Sequence, residues 1–305
     1  MIVGAVIITF NSKLDDLNKL INSIISSVKQ IVVVDNGSSN IEEIILLLNT
    51  FPRLHLMPLG QNTGIGYAQN RGIELVFDDP EIDSVIMFDH DSHPSDDMVD
   101  ALKSDYQKLW QKGLKVAAVG PVFIDPRTQN KYPITLFKGF RLKKIFPVKG
   151  DKSPILTSFL IASGCLIPRS TIETTGLMNE GFFIDYIDIE WSFRVQSMGY
   201  SLFACPNATM YHQVGDERMK VLGREISIHS PLRRYYLARN SILMVRTSYI
   251  NWHYKVREIV YTFTRVIIYL ALVDKKMNYL KYITRGWYDG LLGRTGRCQI
   301  IQKDQ

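Results

Sequence analysis

Hydrophobic positions along the front of the chain alternate between two periods. Val3 to Thr9 is an unbroken apolar run of strand length, and the next segment sets Leu14, Leu17, Leu20, Ile21, Ile24 and Ile25 at helical spacing. Ile31 to Val34 is β-branched throughout and stops at Asp35-Asn36-Gly37-Ser38-Ser39, a turn cluster before a helical pattern of Ile41, Ile44, Ile45 and Leu48. Leu54 to Met57 predicts a third strand and Gly64 to Val76 a loop opening a helix. Ser84 to Phe88 predicts a fourth strand ending at Asp89.

Strands apolar on both faces imply a parallel sheet covered by helices, the α/β class. In such sheets ligands bind beyond the carboxyl ends of the strands. Polar clusters fall at three of those ends: Thr9-Phe10-Asn11, Asp35-Asn36 and Asp89-His90-Asp91.

Farther along, the pattern loosens. Residues from Pro121 to Pro154 read as a loop-rich, basic, mobile flap carrying Arg141, Lys143, Lys144, Lys149 and Lys152. Ser158 to Ile167 predicts another buried strand, interrupted by small residues where a ligand approaches the backbone. Gly181 to Arg194 predicts a loop running into a helix. Near the end, Val256, Ile259, Val260, Phe263, Val266, Ile267 and Leu270 form one apolar stripe, with Lys255, Arg257, Glu258 and Arg265 largely off it. That stripe either packs on the domain or lies on an anionic membrane surface.

Composition narrows the class. The chain has 305 residues, 46% hydrophobic and 22% charged, with 20 Gly and 12 Pro, which excludes disordered, collagen-like and disulfide-dense proteins. Cys165, Cys205 and Cys298 are odd in number and form no CxxC pair, so neither a disulfide framework nor a thiolate zinc site is expected, and a reducing cytosol fits. No apolar run approaches the roughly 18 residues of a membrane span, and no signal peptide is read at the start. The net charge of +6 is uneven: from Arg218 onward there are 17 Lys and Arg against 5 Asp and Glu. A catalytic domain over residues 1–229 and a basic, amphipathic helical region over 230–305 are therefore expected. The basic tail carries no nucleic-acid recognition motif, so no nucleic-acid partner is expected.

Candidate chemistry sits at the polar strand ends. Asp89 and Asp91 are hard oxygen donors two residues apart, suited to Mg²⁺ or Mn²⁺ that neutralises a diphosphate leaving group; the same residues also suit a turn or helix cap. Asp35 is placed to accept the N3–H of a pyrimidine base, with Thr9 and Asn11 beside it, or else to close a strand-end turn. In Gly60 to Gly72 the glycines let backbone approach a ligand, and Asn70 and Arg71 face a phosphate; it is neither a P-loop nor a Rossmann fingerprint. Asp185 and Asp188 lie three apart, and one of them can act as a general base whose pKa a neighbouring acid raises. His212 is a metal ligand, a phosphate partner or a plain surface histidine.

Taken in order, VIITFNS, VVVDNGS, QNTGIGYAQNRGI, MFDHDS, LIASGCLI, GFFIDYIDIEWSFR, MYHQVGDE and RRYYLARNSI resemble the family 2 inverting glycosyltransferases of GT-A fold, over roughly residues 3–240. The AQN, DHDS and IDYIDIEW forms are most similar to bacterial dTDP-rhamnosyltransferases. The resemblance implies that Thr9, Asn11 and Asp35 hold the nucleotide, with Asn36, Asn62, Gly64 and Asn70 around it. It implies that Asp89 and Asp91 hold ribose and metal-diphosphate with Asp91 the direct ligand, that His212 approaches the metal, and that Ser163 and Gly164 line the donor-sugar and acceptor cleft. Asp188 would be the catalytic base, with Asp185 the other carboxylate of that motif. Where many relatives carry Glu-Asp and Arg, this chain has Ile187 before Asp188 and Gln69 before Asn70.

The expected activity is a metal-dependent inverting hexosyl transfer, L-rhamnose passing from dTDP-β-L-rhamnose to a hydroxyl of a lipid-linked cell-surface polysaccharide precursor such as an O-antigen. The alternatives are a UDP-sugar donor with the same mechanism and a non-catalytic nucleotide-sugar-binding protein. The expected location is the bacterial cytoplasm, peripheral on the inner membrane through the basic C-terminal helices, unless those helices form a homodimer interface.

Overall fold

Through the first four strands the observed elements follow the sequence pattern closely. A computed structural model describes residues 1–299 other than 149, 212–217, 222–223, 228 and 273–275, with side chains undescribed also for 218–221, 224–227 and 272. The elements run β1 (Val3–Thr9), α1 (Leu14–Ile24), β2 (Gln30–Asp35), α2 (Ile41–Leu48), β3 (Leu54–Pro58), α3 (Ile65–Phe77) and β4 (Ser84–Asp89). There follow β5 (His93–Pro94), α4 (Met98–Gln111), β6 (Val116–Ile124), β7 (Ile134–Lys138), β8 (Arg141–Ile145), β9 (Ile155–Thr157) and β10 (Leu166–Pro168). The rest is α5 (Arg169–Thr175), α6 (Ile187–Ser197), β11 (Ser201–Tyr211), the hairpin β12 (Arg218–Val221) and β13 (Arg224–Ser227), then α7 (Pro231–Arg246), α8 (Trp252–Leu272) and α9 (Lys276–Leu291).

The main sheet has the order β3-β2-β1-β4-β10-β6-β11-β5, with β9 also paired to β11. β3, β2, β1 and β4 are mutually parallel, and β10 enters antiparallel between β4 and β6. Alternation along β1 shows why its apolar run is continuous: Val3, Ala5 and Ile7 join Leu17, Leu20, Ile21 and Ile24 of α1 on one side of the sheet. Val6 and Ile8 join Ala68, Ile73 and Val76 of α3 on the other. Both faces are covered, so every position is apolar.

One expectation is corrected and two are sharpened. Ser158 to Ile167 is not one strand: only Leu166 and Ile167 of that run pair in β10, and Ser163 makes a single bridge to Met87. Gly164 is the reason, since its φ of +77 turns the chain out of extended geometry. The Pro121–Pro154 stretch is loop-rich but also holds strands: β6 continues to Ile124, and Arg141, Lys143 and Lys144 point outward from the β7–β8 hairpin. The third concerns α8. Tyr254, Glu258, Thr262 and Tyr269 are its buried positions, while Val256, Ile259, Val260, Phe263 and Ile267 of the apolar stripe are exposed. The helix therefore turns its polar and aromatic face inward.

The C-terminal helices do not stand apart from the sheet. Met244, Ile250 and Tyr254 belong to the same apolar core as Val6 and Trp191. Ser230 caps α7 by accepting from the Arg233 amide, and Pro231 sits in the first turn, where its missing N–H costs nothing. None of the described helices is long and apolar enough to cross a membrane.

Candidate active site

Parallel strands paired in register deliver their last residues to one edge. Thr9 stands opposite Asp35, and Asp89 opposite Ile8, so the three polar ends converge as the sheet topology requires. A cleft of about 500 Å³ beside Asp89 is lined by Gln69, Asp89 and Asp188 and by Arg233, Arg257 and Glu258 from α7 and α8. Phe137 and Leu142 of the β7–β8 hairpin complete the wall.

The end expected to hold the nucleotide is a tightly wired loop pair. Asp35 is buried and accepts from Thr9 Oγ1 at 2.9 Å, the Gly37 amide at 3.0 Å, the Ser38 amide at 2.9 Å and the Ser38 hydroxyl. Those four bonds fill the capacity of a carboxylate. The base contact expected of Asp35 therefore has no vacant lone pair in this geometry; its side chain shapes the strand-end turn. Asn11, at φ +51, accepts from the Ser39 amide at 2.8 Å and the Ser39 hydroxyl at 2.9 Å. Asn36 accepts from the Thr63 amide at 2.8 Å and donates to Asn62 Oδ1 at 3.3 Å, and the Gly64 amide donates to Asn62 at 3.1 Å. The loops after β2 and before α3 thus form one floor.

Two further expectations change. Asn70 does not face a phosphate: it is buried, donates to the Met178 carbonyl at 2.9 Å and Glu180 Oε1 at 2.8 Å, and accepts from the Met178 amide at 2.9 Å. Arg71 is likewise spent, on Glu74 at 2.8 Å and Glu180 at 3.7 Å. Ser163 and Gly164 lie beneath the turn after β4 rather than along the cleft. The Ser163 hydroxyl is 2.5 Å from that of Ser92 and accepts from the Asp89 amide at 3.4 Å, while the neighbouring Ala162 lines the cleft. A Cβ on Gly164 would lie 2.8 Å from Pro121, so no other residue fits. Gly64 is equally constrained, since its Cβ would meet Phe183 at 2.7 Å.

Asp89 and Asp91 sit on that turn, Asp89 half-buried and Asp91 exposed. Among the described residues no three metal-ligating side chains converge. Two carboxylates on one turn suit a Mg²⁺-like ion that takes its remaining ligands from phosphate oxygens and water, so the donor set fits. His212 lies outside the described residues.

The structure separates the two candidate bases. Asp185 is held by Arg233, whose Nε and Nη2 donate to its two oxygens at 3.2 and 3.1 Å. Asp188 has no cationic partner among the described residues; it accepts the Ile189 amide at 2.9 Å. It is half-buried at the floor of the cleft, and burial raises its carboxyl from 3.8 to about 6, with Asp185 and Asp89 adding repulsion. A carboxyl poised near neutrality and open to a cleft can take a proton from a bound hydroxyl.

Pattern reading missed what holds Asp188 in place. The preceding segment carries three left-handed residues, Phe183, Asp185 and Tyr186, at φ +65, +61 and +66. Asn240 of α7, fully buried, donates to the carbonyls of Phe182 at 3.0 Å, Ile184 at 2.7 Å and Asp185 at 3.1 Å. Arg239 beside it donates to those of Gly181 at 3.2 Å and Phe182 at 2.8 Å. From α8, Glu258 accepts the Tyr186 hydroxyl and pairs with Arg265 at 3.6 Å. The available signal was RRYYLARNSI itself, a helix with polar residues on every side and no apolar stripe, which marks burial among polar partners.

Comparison with known proteins agrees with this architecture. Residues 5–176 match the family described as Glycosyl transferase family 2. Over 96% of this chain and 97% of the relative, the sequence is 34% identical to the dTDP-rhamnosyl transferase RfbF of Shigella flexneri. Among solved structures it is similar to S. aureus TarS residues 1–349 with UDP-GlcNAc, at TM-score 0.57 and 12% identity over 96% of this chain and 82% of that one. It is also similar to the mannosyltransferase PcManGT of Pyrobaculum calidifontis with GDP-Man and Mn²⁺, at TM-score 0.55 and 16% identity over 95% and 74%. With the sheet order, the acidic strand ends and these likenesses together, the chain belongs to glycosyl transferase family 2 and is a glycosyltransferase of GT-A fold.

Proposed function

We propose that the protein transfers L-rhamnose from dTDP-β-L-rhamnose, with inversion, to a hydroxyl of a lipid-linked polysaccharide precursor. The observation that carries the mechanism is the Asp188 carboxyl, which lines the cleft with Asp89 and has no cationic partner among the described residues, while Asp185 is occupied by Arg233. The donor rests on whole-chain similarity to a dTDP-rhamnosyl transferase. Asp188 accepts the acceptor hydroxyl proton as that oxygen bonds to the anomeric carbon. The bond from that carbon to the diphosphate oxygen breaks, and its electron pair leaves with dTDP. An α-L-rhamnoside and protonated Asp188 result. Asp91 and Asp89 would hold Mg²⁺ or Mn²⁺, which supplies charge neutralisation at the leaving diphosphate.

Calorimetric titration with dTDP-rhamnose, UDP-glucose, UDP-N-acetylglucosamine and UDP-galactose, each with Mg²⁺, Mn²⁺ or EDTA, tests the donor. Metal-dependent binding of dTDP-rhamnose alone is expected; binding of a UDP-sugar instead overturns the rhamnosyl assignment. Asp188→Asn is expected to lower kcat by at least about a hundredfold and leave nucleotide affinity unchanged, the size typical of a lost general base. Loss of both together would make the residue structural.

The outward face of α8 supports a membrane setting for the acceptor. The two carboxylates described on α8 and α9, Glu258 and Asp289, are buried and paired with Arg265 and with Arg285 and Arg294, so the exposed charge there, Lys276 and Lys281 included, is cationic. Trp252 at the start of α8 packs 5.0 Å from Phe140 of the β7–β8 hairpin, whose Lys143 and Lys144 are exposed. Apolar ridge and cationic flanks together match an anionic bilayer. Sedimentation with phosphatidylglycerol vesicles but not with phosphatidylcholine vesicles is expected, and Phe263→Glu should abolish it. A concentration-dependent dimer indifferent to lipid would assign the ridge to a second copy instead.

A further inference from the structure

A buried polar group on α3 has no role in the account above. Gln69 is 3% exposed, and its Oε1 is fully enclosed and has no hydrogen-bond partner among the described residues. Its neighbour Asn70 spends every polar atom on Met178 and Glu180. The contrast follows from helical spacing: Gln69 lies one turn from Ile65, and both look into the cleft, whereas Asn70 is rotated toward the 178–180 segment. The helix start is fixed there, because the Ile65 amide donates to the Phe183 carbonyl at 2.7 Å and Gly64 packs against Phe183.

Burying an amide oxygen with nothing to replace its hydration is unfavourable, so a carboxamide with an orphaned oxygen in a cleft wall is a binding group awaiting a ligand. Its chemistry limits the ligand. One acceptor and two donors without charge suit ring hydroxyls, which both donate and accept; a phosphate would call for cations or a helix amide nest. Its place limits it further. Gln69 lines the same cleft as Asp188, which takes the proton of the attacking hydroxyl, and Asp89, which belongs to the diphosphate side. The ring being transferred must lie between those two.

We infer that the Gln69 carboxamide hydrogen-bonds a hydroxyl of the hexosyl ring of the donor and so helps select which sugar is transferred. The inference rests on the donor reading above for the choice of probe. Where a pocket built to bond a hydroxyl loses its partner, discrimination falls steeply, which sets the size of the effect.

The test is calorimetric titration of the full chain and of Gln69→Met, with Mg²⁺, against dTDP and against dTDP-rhamnose. Methionine matches the volume and flexibility of glutamine without its amide, so the fold is retained, checked by an unchanged or raised Tm. The expected result is dTDP affinity within about twofold of wild type and dTDP-rhamnose affinity down by about tenfold or more. Gln69→Asn is expected to recover part of that loss. Equal affinities of wild type and Gln69→Met for dTDP-rhamnose would overturn the inference, as would an equal loss for dTDP and dTDP-rhamnose, which marks a structural residue. If the wild type binds a UDP-sugar and ignores dTDP-rhamnose, the donor reading fails while Gln69 is judged by the same ratio of sugar nucleotide to nucleotide. A wild type that binds no nucleotide sugar overturns both.

Discussion

Two amphipathic helices, α1 and α8, carry similar apolar stripes and use them in opposite ways. Leu17, Leu20, Ile21 and Ile24 of α1 are almost wholly buried against β1 and β2. In α8 the stripe looks out, with Val260 59%, Phe263 54% and Ile267 68% exposed, while Glu258 is 3% exposed. Amphipathicity locates a helix and its two faces; which face turns inward depends on what it must meet. α1 meets a sheet of Val and Ile. α8 meets Tyr186 and the loop before Asp188, whose hydroxyl and carbonyl groups need polar partners once buried.

The sharpest way to break this contrast is a pair of matched substitutions. Ile21→Asp places an unpaired carboxylate in the core and should cost more than about 4 kcal/mol, enough to prevent recovery of folded protein. Ile267→Asp should change stability by no more than about 0.5 kcal/mol in urea unfolding. A comparable loss at Ile267 would mean that the ridge is packed in the folded chain.

Next in size are the polar contacts that replace apolar packing around the site. Asn240→Ala removes a donor from three carbonyls, of which Phe182 keeps Arg239, and should cost about 2–3 kcal/mol, with kcat falling about tenfold or more and nucleotide affinity kept. Stability loss without a drop in kcat would separate the helix from positioning of Asp188. Glu258→Gln keeps the shape but leaves Arg265 without its carboxylate; because Arg265 is part-exposed, about 1–2 kcal/mol is expected rather than the full cost of breaking a buried pair.

The smallest effect is one of pH. With the Asp188 carboxyl raised to about 6, kcat should fall about tenfold per pH unit well below that value and level off above it. Stability runs the other way. A carboxyl at 3.8 in the unfolded chain and about 6 in the folded one lowers stability as pH rises through that interval, and the penalty is complete above it. Asp188→Asn should therefore have a Tm at neutral pH equal to or above that of wild type; a clear drop would mean that the carboxylate is held by a favourable contact.

The front of the molecule was legible because short-range pattern and long-range packing demand the same thing there. Continuous apolar runs become strands covered on both faces, and strand ends carry the acids to one edge. Around the site the reading was less complete. Asp188 and Asp89 do share the cleft, yet Asn70, Ser163 and Gly164, grouped with the ligand by motif order, support loops, and Asp35 is saturated by its own turn. A motif preserves residue types at a spacing; it does not say whether a polar atom meets a ligand or a neighbouring backbone.

By itself, the sequence determined the strand and helix periods, the α/β class, the acidic strand ends and the basic tail, all of which depend on residues close together in the chain. Tertiary structure alone decided that Asp185 pairs with Arg233 and leaves Asp188 without a cationic partner among the described residues, that Asn240 and Glu258 brace the loop before it, and that α8 turns its apolar stripe outward. Each of those outcomes joins residues tens of positions apart. The cost of leaving a buried polar group unpaired fixes them, and that cost exists only once the partners are brought together.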